Sequence, residues 1–194
     1  MAKGPIYRVP LKRRREGKTN YYKRRELLKS NSLRVIIRKS TKHMRVQFVE
    51  AHPNGDTTLI SASSIQLSEF NWTLSGGNIP AAYLTGYLAG IKAKKSGITN
   101  AILDMGLHRN TKGGRIYAAL KGVVDSGIDL PVNEEIFPSE SVLQGSHIKT
   151  ISDHIKKEDA KAHKQIYAKY QKAKVTPDKL PTLVKSTKGA IDKL

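Results

Sequence analysis

Two short runs of period two open the apolar part of this chain. In residues 33–38, Leu33, Val35 and Ile37 fall on one side and Arg34, Ile36 and Arg38 on the other. In residues 44–49, Met44, Val46 and Phe48 alternate with Arg45, Gln47 and Val49. Alternation rich in β-branched residues predicts half-buried strands. Asn54-Gly55 is a hairpin signal leading into a third strand over residues 57–63. The period then changes. Pro80 suits the first position of a helix whose Leu84, Tyr87, Leu88 and Ile91 share one side, and Gly97 suits its C-terminal cap. Residues 100–105 read as a buried strand. A second helix over about 114–126 turns Ile116, Ala119, Leu120, Val123 and Val124 inward and ends at Gly127.

This order is β-β-β-α-β-α. A helix between the third and fourth strands implies a parallel crossover. The predicted fold class is α/β, a mixed β-sheet covered by helices on at least one face. Gly86 and Gly90 sit four apart on the first helix and predict its close packing against the sheet.

The flanks are different. Residues 1–18 hold Gly4, Pro5, Pro10 and Gly17 with few apolar anchors, which predicts an extended arm ordered by a partner. A short helix is expected over residues 20–30, with Thr19 or Asn20 as its N-cap and Leu27 and Leu28 as its apolar face. Beyond residue 131, Pro131, Pro138 and Gly145 mark an irregular linker. Residues 158–174 read as one helix with Ile166, Tyr167 and Tyr170 on one side, able to dock on RNA, on a protein or back on the body. The tail beyond Pro177 is expected to be poorly ordered alone. The organisation is thus a basic arm and short helix (1–30), an α/β body (31–130), and a linker with a helical C-terminal extension (131–194).

Charge sharpens this division. The net charge is +19, yet residues 1–45 hold sixteen Lys or Arg against two acids, while residues 46–90 hold no Lys or Arg and three acids. The run at residues 12–25 carries Lys12, Arg13, Arg14, Arg15, Lys18, Lys23, Arg24 and Arg25, with Tyr21 and Tyr22 interleaved. Concentrated cations repel one another and gain little by packing on a core, so a polyanion is their natural partner, and aromatics among them can stack on bases. If the first two strands pair, Arg34, Arg38 and Arg45 project from a common face beside that arm. Cysteine is absent, which excludes disulfides and Cys-ligated zinc and fits a reducing compartment. No segment approaches the apolar length of a membrane span, and no leader-like apolar region opens the chain. The expectation is a soluble intracellular protein.

Catalytic chemistry finds little support. Asp104 ends an apolar strand, a place where α/β enzymes hold a metal or a base, but the spacing of Asp56, Glu69 and Asp125 brings no carboxylate cluster to it. A turn cap is the simpler role. His147 and His154 are seven apart without a third ligand, so neither metal nor cofactor is expected. Residues 110–115, Asn-Thr-Lys-Gly-Gly-Arg, open the second helix. They read either as a phosphate site, with glycine N–H groups flanked by Lys112 and Arg115, or as a flexible loop before an ordinary cap. Trp72 is either a base-stacking platform or a core plug. A structural RNA-binding protein accounts for these features best. An RNA-processing enzyme and a DNA-compacting protein are the alternatives.

Four stretches together carry a resemblance: Arg-Arg-Arg-Glu-Gly-Lys-Thr-Asn-Tyr at 13–21, Ile-Arg-Lys-Ser-Thr-Lys-His at 37–43, Ile-Pro-Ala-Ala-Tyr-Leu-Thr-Gly at 79–86, and Thr-Lys-Gly-Gly-Arg-Ile-Tyr-Ala-Ala-Leu-Lys-Gly at 111–122. The chain resembles universal family eighteen of the large-subunit ribosomal proteins, in its archaeal and eukaryotic form. The match runs in order from about residue 5 to residue 150. The shorter bacterial members correspond only to the body, and the modest length here looks archaeal. The resemblance implies a cytoplasmic protein of the large ribosomal subunit that binds 5S rRNA and bridges it to the 23S-type rRNA at the central protuberance. Its implied neighbours are the ribosomal protein of universal family five and other central-protuberance proteins. The RNA-facing positions it implies are Arg8, Lys12, Arg13, Arg14, Arg15, Lys18, Asn20, Tyr21, Lys23, Arg24 and Arg25 in the arm, Arg38, Lys42, His43 and Arg45 in the hairpin, and Lys112 and Arg115 in the loop. Arg34 joins them through the common-face argument. The tail after residue 160 matches least clearly.

Overall fold

Alternation sets the sheet. A computed structural model describes residues 4–173 and 175–194; Met1–Lys3, at the start of the expected arm, and Lys174, in the expected C-terminal helix, lie outside the described residues. In strand β1 (Arg34–Lys39), Val35 and Ile37 are buried, and in β2 (Met44–His52), Met44, Val46 and Phe48 are buried beside them. The two strands pair antiparallel with Arg38 opposite Arg45. Pro53-Asn54 turns the chain into β3 (Gly55–Ser63), and Gly55 takes φ +148°, open to glycine and costly for a side chain. Register slips between Phe48 and Val49, so Leu59 is an extra residue on β3 and stands exposed.

Helix α3 (Ile79–Lys95) carries the chain from the β3 edge to the opposite edge, where β4 (Ile102–Asp104) runs parallel to β1. The sheet order is β3-β2-β1-β4, mixed as expected from the crossover. Asn78 caps α3, with its side chain accepting from Ala81 N–H, and Gly97 closes the far end at φ +77°. Helix α4 (Arg115–Asp125) follows the β4 loop. Helices α3 and α4 cover one face of the sheet.

The glycine pair serves a different contact from the one predicted. A Cβ on Gly86 would lie 1.8 Å from the Ala119 carbonyl oxygen, and one on Gly122 would lie 2.2 Å from that of Tyr83. A Cβ on Gly90 would meet Ser126 at 1.8 Å. The glycines therefore seat α3 on α4, not on the sheet. The period-3.6 pattern identified the helix but could not say which neighbour its bare positions touch.

The arm and tail also depart from expectation. Residues 4–11 form no helix or strand, and the arm then makes a single helical turn, α1 (Lys12–Arg15), followed by α2 (Tyr21–Leu28). The expected 158–174 helix is divided. Helix α5 (Glu140–Leu143) leads to α6 (Ser146–Glu158), α7 (Ala160–Ile166) and α8 (Ala168–Lys172). Asp159 breaks the run because its carboxylate accepts from Lys161 and Ala162 N–H and caps α7. Tyr167 is buried, donates to the Ile148 carbonyl of α6 and lies against His163 and Tyr170, and Tyr170 and Ala173 pack on the central core, so this segment folds back on the body. Beyond Pro177 the chain forms α9 (Leu180–Ile191), whose Leu180, Val184 and Ile191 belong to the central core. The Lys188 ammonium lies 4.6 Å from the Tyr87 ring centroid and donates to the Tyr83 hydroxyl at 3.1 Å, while the Tyr87 hydroxyl donates to Asp192. Trp72 is a core plug: it is 3% exposed and donates to the Ser75 carbonyl.

Replacing Gly86 by Ala should force α3 and α4 apart and cost about 1–3 kcal/mol, the usual range for overpacking. Gly189→Ala, in α9 with nothing within 4 Å of the added carbon, should be neutral or stabilising. Urea melts of both variants check this, and equal stabilities would remove the close helix contact.

Candidate nucleic-acid interface

Helix α2 lies against the sheet face opposite α3 and α4. Asn20 caps it, its carboxamide oxygen accepting from Tyr22 and Lys23 N–H. Leu27 and Leu28 are half-buried, and among the described residues none in α2 is fully buried. Apolar burial alone therefore holds this helix weakly. Ion pairs hold it in place. Arg24 makes a two-pronged contact with Asp56, at 2.8 and 2.7 Å. Asp56 follows the hairpin turn at the start of β3 and also accepts from Arg34 at 2.7 Å. Arg34 reaches Asp104 at 3.1 Å, and Arg38 reaches the same carboxylate at 3.0 Å and the Asp104 carbonyl at 2.7 Å. Gly106 N–H completes Asp104 at 2.8 Å, so the expected turn-cap role is present. The charges alternate from Arg24 through Asp56, Arg34 and Asp104 to Arg38, across α2, β3, β1 and β4. The hydrogen bond from Arg24, opposed by burial, holds the Asp56 carboxyl down at about 2.

This network corrects one expected contact. Arg34 is 1% exposed, with both terminal nitrogens on carboxylates, so it does not face an external phosphate. The register does place it on the common face with Arg38 and Arg45; burial removes it from the surface. Arg24, Arg38, Asn20 and Tyr21 are half-buried, and the first three are tied to protein partners. Arg8, Lys12, Arg13, Arg14, Arg15, Lys18, Lys23, Arg25, Lys42, His43, Arg45 and Lys112 are exposed. Tyr22, 62% exposed with the Arg14 guanidinium 5.3 Å from its ring centroid, is the more accessible aromatic of the pair.

A second group of cations gathers where the β1–β2 turn meets the loop before α4. Arg115 donates to the Ser40 carbonyl at 3.2 Å and to Gly77 at 2.8 Å, joining three loops. His43 shares a hydrogen bond with Ser64, and Lys39 N–H donates to His108 Nε2 at 3.4 Å. Burial and then the positive charges of Lys39, Arg38 and Arg115 push His108 below its usual value, a sign of concentrated positive potential. The glycine cradle is corrected here: Gly113 N–H donates to the Ile136 carbonyl and Gly114 N–H to Thr111, so neither amide is available to a phosphate. A cleft of about 1410 Å³ runs between arm and sheet, with Arg13, Lys18, Lys23, Arg38 and Arg109 on its walls and Ile36 and Leu103 in its floor. Lys39, His108 and Arg109 escaped the sequence reading. Lys39 ends β1, and His108 and Arg109 lie in the loop after β4, where no period marks a face, although counting cations along residues 107–115 would have found Arg109.

Among the described residues no group of three His, Cys, Asp or Glu is placed to hold a metal. His154 pairs with Glu158, and Asp104 is committed to two guanidinium groups. No described helix is long and apolar enough to cross a membrane.

Removing Asp104 leaves the buried Arg34 short of a counter-charge. Asp104→Ala should cost about 3–5 kcal/mol in a urea melt, the scale for breaking a buried pair from one side; a loss under about 1 kcal/mol would make the network peripheral. Asp56 adds a pH signature. Its folded value lies below its ordinary 3.8, so the tie is complete above 3.8 and is lost as pH falls towards about 2. The protection factors of the amides of residues 21–28, in which the intrinsic pH dependence of exchange is divided out, should fall over that interval and stay flat above it.

The comparisons with known proteins agree with this geometry. Residues 6–98 and 89–133 match the family described as ribosomal large subunit proteins 60S L5, and 50S L18. Over 193 residues the chain is 44% identical to the large ribosomal subunit protein uL18 of Aeropyrum pernix, covering 99% of this chain and 90% of that protein. The similarity extends through the C-terminal extension, the part that the sequence motifs matched least. The chain belongs to this family, and is a structural, rRNA-binding protein of the large ribosomal subunit rather than an enzyme.

Proposed function

We propose that this protein binds 5S rRNA and anchors it to the 23S-type rRNA at the central protuberance, beside the ribosomal protein of universal family five. The observation that carries this reading is the arm pinned across the open face of the sheet. It sets Arg13, Lys18 and Lys23 along one wall of a cleft whose other wall carries Arg38 and Arg109. Such a cleft suits a folded polyanion with phosphates on both sides. In this reading Arg8, Lys12 to Arg15, Lys18, Lys23 and Arg25 meet phosphates from the arm. Lys42, His43, Arg45 and Lys112 meet them from the turns, and Tyr21 or Tyr22 stacks on an unpaired base. Arg24, Arg38, Asn20 and Arg115 shape the surface through their protein contacts. The arm (1–30), body (31–130) and extension (131–194) then divide the work between ordered cations, a rigid platform and a second anchoring region.

The affinity for a 5S rRNA transcript, compared with duplex DNA of equal length, tests this reading. Binding should be tighter for 5S rRNA and steeply salt-dependent. About 6–10 phosphate contacts would lose roughly three to five decades between about 50 and 200 mM salt on the duplex-DNA scale, and less on single strands. Removing residues 1–18, which keeps Asn20 and α2, should flatten that slope while the thermal melt is kept. Equal affinity for both nucleic acids would favour a DNA-compacting role. An unchanged slope after truncation would take the arm out of the interface.

A further inference from the structure

We infer that Asp56 is a positioning residue for RNA binding: an acid that strengthens the grip on a polyanion by holding the cationic arm helix on the sheet. The inference rests on the reading that the arm meets RNA. Its basis is mechanical. Helix α2 is joined to the body by the two-pronged Arg24–Asp56 contact, a tie across 32 residues, and it has no fully buried side chain to replace that tie. Asp56 in turn is fixed from behind by Arg34, which is 1% exposed and anchored through Asp104 to Arg38. One carboxylate therefore decides where Lys23 and Arg25 project, and where α1 and its four cations follow. Without it, an RNA ligand would have to order the arm as it binds, at a cost in affinity.

The inference makes a prediction opposite in sign to simple electrostatics. Asp56→Asn raises the net charge by one, and a more positive protein should bind a polyanion more tightly. If Asp56 positions the arm, the variant instead binds a 5S rRNA transcript about tenfold more weakly. Glu50→Gln is the control. Glu50 is exposed on the same hairpin, with His52 at 3.5 Å as its ion-pair partner among the described residues, and its loss makes the same change in charge without touching Arg24. That variant should bind as tightly as the parent or slightly more so. The full chain is used throughout, with affinity at fixed salt and amide exchange of residues 21–28 in the RNA-free protein. The expected result is weaker binding by Asp56→Asn with faster exchange confined to the arm, while Asp56→Glu, which keeps a carboxylate for Arg24 and Arg34, stays closer to the parent in both. Parent-like or tighter binding by Asp56→Asn overturns the inference. So does weaker binding with unchanged exchange in α2, or exchange accelerated throughout the body, since Asp56 would then act on the fold and not on the arm. A parent protein that ignores 5S rRNA would sink the functional reading instead, and the exchange comparison would still decide whether Asp56 holds the arm.

Discussion

Three guanidinium groups share two carboxylates across the open face of the sheet, and the placement of the basic arm depends on that arrangement. A buried arginine is costly to desolvate, and Arg34 is almost wholly enclosed. The cost is offset because each of its terminal nitrogens meets a carboxylate, and each carboxylate is held by a further arginine. The alternation also confines the field. In a protein of net charge +19, acids left unpaired on this face would interrupt its positive field, whereas Asp56 and Asp104 are engaged by cations of their own chain.

The opposite face of the sheet obeys a different constraint. Helices α3 and α4 meet through glycines, so their backbones approach more closely than side chains would allow. That contact leaves room on the outer side of α3 for α9, whose Leu180, Val184 and Ile191 extend the same core. Two tyrosines complete the seam. Burial and a neighbouring carboxylate raise both hydroxyls well above their ordinary value, to about 12 for Tyr87, so they remain protonated donors to Asp125 and Asp192 at neutral pH. The body thus offers a rigid platform on one side and an electrostatically mounted arm on the other.

The alternating apolar positions of β1 and β2, the Asn54-Gly55 turn and the helical spacing after Pro80 determined the order of elements along the chain and the mixed α/β class, because periods of two and 3.6 leave their mark within a few neighbouring residues. Local charge density likewise identified the arm, and the sequence motifs identified the family. Contacts between distant segments left no such mark. Only the tertiary structure decided that Gly86 faces α4, that Trp72 fills the core, and that the residues beyond Pro177 form an integral helix. Arg34 is the sharpest case. Its register puts it on the basic face, but whether it meets RNA or a carboxylate depends on Asp56 and Asp104, 22 and 70 residues away. The charge of a side chain is written in the sequence, whereas its partner is set by which residues the fold brings within hydrogen-bonding distance.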